Sequence, residues 1–210
     1  MKTIQEIYTQ YTIPKNLQEH MFRVTAVGEM IVDHCDKAVS RDEVIRTLLL
    51  HDMGNIIKFN LDHFPEFLEP EGYAYWQGIK EQFKEKYGND EHRAHVLIAR
   101  ELGVSDRICE LIHHVGFQGM CQNVATDDWA QKICNYADLR VYPHGVVPLT
   151  QRLEDGRKRY NIAPGDERWD LVTCAQELED QIFEHCDIKS EDINDMAIAQ
   201  YVAKYREFHL

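Results

Sequence analysis

The sequence predicts an all-α fold, and three observations carry the prediction. Apolar residues recur at three- and four-residue spacing along most of the chain, no run alternates as a half-buried strand does, and capping residues precede successive apolar stripes. Pro14 leads into the stripe Leu17, Met21, Val24, Gly28 and Ile31. Ser40 and Glu43 form a capping-box pattern ahead of Val44, Ile45, Leu48 and Leu49, and Gly54 is a natural stop. Asn89 or Asp90 caps a helix that runs through Glu101 to Gly103. Ser105 starts another, with Ile108, Leu111, Ile112 and Val115 inward and Gly116 after it. Thr126 or Asp127 opens a helix bearing Ala130, Ile133, Cys134 and Ala137, which must end before Pro143 because a residue preceding proline is pushed out of the helical region. Two further helices are expected from about Arg168 to Cys186 and from Ser190 to Phe208.

Composition narrows the class. The 210 residues are 44% hydrophobic and 28% charged, which excludes disordered and fibrous chains. One domain is expected over 1–210, with a core at about 15–160 and a helical extension at about 161–210. That extension is acidic (Glu167, Asp170, Glu177, Glu179, Asp180) and suits either a homo-oligomer contact or a solvated cover. No run approaches the ~20 apolar residues of a membrane span, and Met1 to Gln10 lack a signal-peptide layout, so a cytoplasmic protein with no membrane partner is expected. Lys plus Arg is 23 against 36 Asp plus Glu, a net charge of −13 that repels a nucleic-acid duplex. A small anionic substrate stays compatible, since local cations or a metal reverse the sign inside one cleft. The six cysteines are scattered without a Cys-x-x-Cys pair and read as reduced thiols. Between Lys58 and Tyr87 the chain is rich in aromatics and broken by Pro65, Pro70 and Gly72, which fits a lid or pocket wall, or rings packing an irregular loop onto the core.

The histidines carry the chemical signal. His20, His51, His92, His95, His113 and His114 lie in or at the ends of the expected helices. An inward imidazole left unpaired costs about 1–3 kcal/mol. Several of them from different helices, accompanied by carboxylates, are more economically satisfied by a shared metal ion. His51 and Asp52 end the apolar run Thr47 to Leu50, where an ionised carboxylate needs a counter-charge. A divalent cation held by both supplies it; a helix-end pair bonding the last carbonyls is the structural alternative. His20 sits on the edge of the first apolar stripe, and Asp138 follows Ala137 on the inner side of its helix.

His20, His51-Asp52 and Asp138, in that order, resemble the signature His … His-Asp … Asp of the HD superfamily of metal-dependent phosphohydrolases. The stretches Leu-Leu-Leu-His-Asp-Met-Gly (48–54) and Tyr-Ala-Asp-Leu-Arg (136–140) look like that family's central and terminal motifs. The resemblance covers roughly residues 15–160. It implies an HD-type helical bundle and a divalent metal (Mn, Fe, Mg, Co, Ni or Zn) on His20, His51, Asp52 and Asp138. In two-metal members Asp52 bridges both ions, and His92 with His113 or His114 matches the extra histidines; His95 is a spare ligand or a pocket residue. Where many members carry a Lys three residues after the aspartate, this chain has Asn55. Lys58, Arg140 and Arg152 are then the candidate contacts to a phosphate, Lys58 and Arg140 also as catalytic groups beside Asp52; each, taken alone, reads as a solvated surface charge. The implied activity is attack of metal-activated water on a small phosphoester, a nucleotide among the candidates. A His-rich di-iron oxygenase and a non-catalytic metal- or ligand-binding module are the alternatives. The chain has no Gly-rich phosphate loop, Gly-x-Ser-x-Gly elbow or Cys/His nucleophile pattern that would favour another hydrolase.

Overall fold

The computed structural model describes residues 2–166 and 168–210, with the side chains of 159 and 160 excepted. It is all-α with one small hairpin. In chain order the helices are α1 (Ile4–Gln10), α2 (Lys15–His34), α3 (Arg41–Leu50), α4 (Tyr73–Tyr87), α5 (Glu91–Glu101), α6 (Asp106–His114), α7 (Met120–Ala125), α8 (Trp129–Leu139), α9 (Leu149–Tyr160), α10 (Trp169–Phe183) and α11 (Asp195–Tyr205). The strands β1 (Val141–Tyr142) and β2 (Gly145–Val146) pair antiparallel, Val141 opposite Val146. Two-residue strands leave no alternating pattern in a sequence, which is why none was expected.

The helix starts follow local chemistry. Ser40 Oγ accepts from Glu43 N–H at 3.3 Å, Asp90 Oδ1 from Arg93 N–H at 3.1 Å, and Ser105 Oγ from Ile108 N–H at 3.4 Å. Glu43 does not return the bond that a full capping box requires; its carboxylate stands 3.8 Å from Arg107. The start expected at Thr126 or Asp127 falls at Asp128, which accepts from Gln131 N–H at 3.2 Å. Helices α1, α4, α7 and α9 were not foreseen. In α4 the residues Trp76, Phe83 and Tyr87 are buried, so half of the aromatic stretch is a helix face packed on the core. The other half, the 3-10 turn Pro65–Leu68, buries no residue; Phe64 and Phe67 instead lie against the His144 ring at the hairpin.

Helix α2 is the pillar against which α3, α8 and α11 pack. At its Gly28 both α3 and α8 come close: a Cβ there would lie 2.3 Å from Leu48 Cδ1, 3.3 Å from Val44 Cγ1 and 3.6 Å from Ala137 Cβ. The absent side chain lets α3 and α8 reach α2 together. Around this point Val24, Ile31, Val44, Leu48, Leu49, Leu50, Ile133 and Ala137 are fully buried, each large one contributing about 1.5–3 kcal/mol.

The C-terminal segment seals onto the same pillar. Ala175, Leu178, Ile182, Ile198 and Tyr205 are buried, while Asp170, Glu177 and Asp180 are exposed; Glu167 lies outside the described residues. Glu29 of α2, fully buried, is ringed by Arg41, Lys204 at 2.7 Å and Tyr205. One expectation about the cysteines is overturned: Cys121 and Cys174 form a disulfide between α7 and α10. These residues are 53 positions apart, and only the packing of α10 along α7 makes them neighbours. Among the described residues no helix is long and apolar enough to cross a membrane.

Candidate metal centre

The close packing at Gly28 aligns one end of α2, α3 and α8. His20 lies two turns before Gly28 on α2; His51 and Asp52 begin the turn after α3; Asp138 is the penultimate residue of α8. The carbonyl of Leu49 accepts a hydrogen bond from the buried Tyr8 hydroxyl at 2.6 Å, which pins the end of α3. His20 Nε2 is then 3.1 Å from Asp138 Oδ1 and 3.5 Å from Asp52 Oδ2. His51 Nε2 is 3.5 Å from Asp138 Oδ1 and 3.8 Å from Asp52 Oδ2.

These groups suit a cation. The His51 ring donates from Nδ1 to Leu48 O at 2.7 Å, so the proton of its neutral form sits there and the Nε2 lone pair faces the two carboxylates. That Nε2 is buried and makes no hydrogen bond of its own. Donor atoms of His20, His51 and Asp52 all lie within 4.8 Å of one another, with Asp138 against both rings. Asn55 donates from Nδ2 to Asp52 Oδ2 at 2.7 Å and holds that carboxylate in place.

The charges tell the same story. Burial works to lower the pKa of His51, but the Asp52 and Asp138 carboxylates overrule it and raise it to about 9. Burial works to raise both acids; His20 and His51 hold Asp138 well below its usual range, and His51 and His20 lower Asp52. Two carboxylates kept ionised by imidazolium are the charge arrangement that a divalent cation replaces.

A protein-family model described as HD domain matches residues 2–60, the segment that contains His20, His51 and Asp52. Over that segment the chain is similar to the HD domain family. No curated protein and no solved structure matches the chain. The HD family is of a metal-dependent hydrolase type and binds divalent metals, and the His-His-Asp cluster agrees with such a site.

The other expected residues divide. His95 is buried and stands with Nε2 3.8 Å from Asp52 Oδ1. His92 leans on Gly116, its Nε2 3.7 Å from Glu91 Oε1. His113 is exposed, and His114 is half-buried with a pKa lowered by burial and by its neighbour His113. The three residues whose donor atoms lie within 4.8 Å of one another are His20, His51 and Asp52, and neither histidine of this pair is among them. Their helix ends facing the amides of Asn123 and Asn135, which bond His114 O at 3.0 and 2.8 Å.

Arg140 requires a correction. Its guanidinium is buried and donates to Val147 O, the Tyr136 hydroxyl, Ser190 O and Ile193 O at 2.7–3.1 Å. Those bonds tie α8 to the hairpin and the C-terminal segment and engage the guanidinium inside the fold. Arg152 lies on α9 beside Asp155 at 3.9 Å, and no described contact links it to the cluster. Lys58 stands at the rim, paired with Glu91 at 3.5 Å and near enough to help lower Asp52. Asn55 as the clamp on Asp52 went unnoticed in the sequence; its position three residues after the aspartate, within one turn, was the available signal.

Proposed function

We propose that this chain is a metal-dependent phosphohydrolase acting on a small phosphoester. The observation that carries the reading is the buried His51 Nε2, without a hydrogen bond of its own, facing Asp52 and Asp138 with His20 alongside. His20, His51, Asp52 and Asp138 are the residues that would hold a divalent ion. Such an ion, when bound, supplies a Lewis acid and a water of lowered pKa.

The chain's own part is orientation and charge. The Leu48 carbonyl fixes the His51 tautomer, and the Asn55 amide fixes the Asp52 carboxylate. Lys58 brings a cation to the rim of a strongly acidic molecule, where a phosphate can exchange for Glu91 as its partner. The acidic surface supports a compact substrate, such as a nucleotide or sugar phosphate, over a duplex.

The test is elemental analysis of untagged protein purified without chelator, followed by a panel of nucleotides and sugar phosphates with Mn²⁺, Co²⁺ or Mg²⁺. Bound metal with turnover of one compound class, abolished in Asp52→Ala, supports the reading. Iron-loaded protein that consumes oxygen and cleaves no phosphoester would replace it with an oxygenase. Metal retention without turnover would reduce it to a binding module.

A further inference from the structure

Both His51 and His95 face Asp52, but their far nitrogens are engaged with opposite polarity. His51 Nδ1 donates to a carbonyl, whereas His95 Nδ1 accepts from the Gly54 backbone N–H at 3.0 Å. A neutral imidazole carries one proton, so an Nδ1 that accepts leaves that proton on Nε2. The Nε2 of His95 therefore points an N–H, not a lone pair, towards the cluster, at 3.8 Å from Asp52 Oδ1. Direct ligation through Nε2 would require an imidazolate or the loss of the Gly54 bond.

The polarity is built in by close packing. A Cβ at position 54 would come 2.6 Å from Ala94 Cβ and 3.3 Å from the backbone nitrogen of His95, so glycine is what lets α5 approach the turn after Asp52. The bond joins residues 41 apart in sequence, inside the core. The distance to Asp52 exceeds hydrogen-bond range, so this donor is not committed to the carboxylate.

We infer that His95 is a substrate-binding residue, whose Nε2–H donates to an oxygen of the phosphoester lying beside Asp52, and is not a metal ligand. The oxygen acceptor rests on the phosphohydrolase reading; the donor polarity does not. Long-range nitrogen–proton NMR correlation on zinc-loaded protein tests the polarity first, with the Nε2–H tautomer expected at His95 and the opposite one at His51. A proton on His95 Nδ1, or zinc on its Nε2, overturns the assignment.

Two variants test the role with inorganic phosphate as the probe. His95→Asn places an amide oxygen where Nδ1 was and keeps the Gly54 bond while removing the far donor. His95→Gln restores an N–H near the Nε2 position. Both are expected to keep wild-type metal content, with phosphate affinity about tenfold weaker in His95→Asn and largely recovered in His95→Gln. Loss of metal from both variants, or equal phosphate binding by both and wild type, overturns the proposal. A metal-loaded wild type that binds no phosphate sinks the phosphoester reading and its acceptor, while the nitrogen spectrum still decides the donor.

Discussion

The turn after α3 and the start of α5 each present a buried histidine to Asp52, and they differ in one hydrogen bond. At the turn, a free carbonyl of the ending helix turns His51 into an acceptor at Nε2, fit for a cation. At α5, a backbone N–H from Gly54 turns His95 into a donor. Burial and residue type are the same, so neither decides a histidine's chemistry. The group behind the ring does.

The sharpest way to break this comparison is at the turn. His51→Ala is expected to abolish phosphoester turnover and strip the metal, measured by elemental analysis and a discontinuous phosphate assay; an active, metallated variant refutes the site. Asn55→Ala frees the Asp52 carboxylate and is expected to weaken metal affinity or activity about 10- to 100-fold, read by metal titration. A titration matching wild type would show that Asp52 needs no clamp.

Smaller effects probe the packing that sets both polarities. Gly54→Ala should push α5 from the turn, destabilise by about 1–3 kcal/mol in urea melts, and move the His95 nitrogen shifts while leaving those of His51. Gly28→Ala should cost a similar 1–3 kcal/mol but disturb His20, His51 and Asp138 together, because α2, α3 and α8 all meet there. The smallest effect is expected from His113→Ala: the ring is exposed, so stability should stay within about 0.5 kcal/mol and metal content should not change. A loss of metal in that variant would return His113 to the ligand set.

Much of this site was legible before folding, and for local reasons. Ser40, Asp90 and Ser105 act as caps because a short side-chain oxygen reaches an amide three residues on, whatever the rest of the chain does. His20, His51, Asp52 and Asp138 stood out because their order resembles the family signature and their helices are apolar on the flanking positions. Arg140 was misjudged for the opposite reason: its partners at Val147, Ser190 and Ile193 come from segments up to 53 residues away. The Cys121–Cys174 bond was invisible on the same ground. His113 and His114 flank their stripe on either side, and phasing could not say that one would face solvent and the other only half-bury.

By itself, then, the sequence determined the helical class and the caps of α3, α5 and α6, since these follow from spacings within a turn or two, while the four candidate ligands came from the resemblance to the family signature. Tertiary structure alone decided which nitrogen of each histidine keeps its proton, where Arg140 turns and which cysteines meet. Each of those outcomes depends on a carbonyl, an amide or a thiol carried in by a distant helix, and its arrival is set by how closely backbones pack at Gly28 and Gly54.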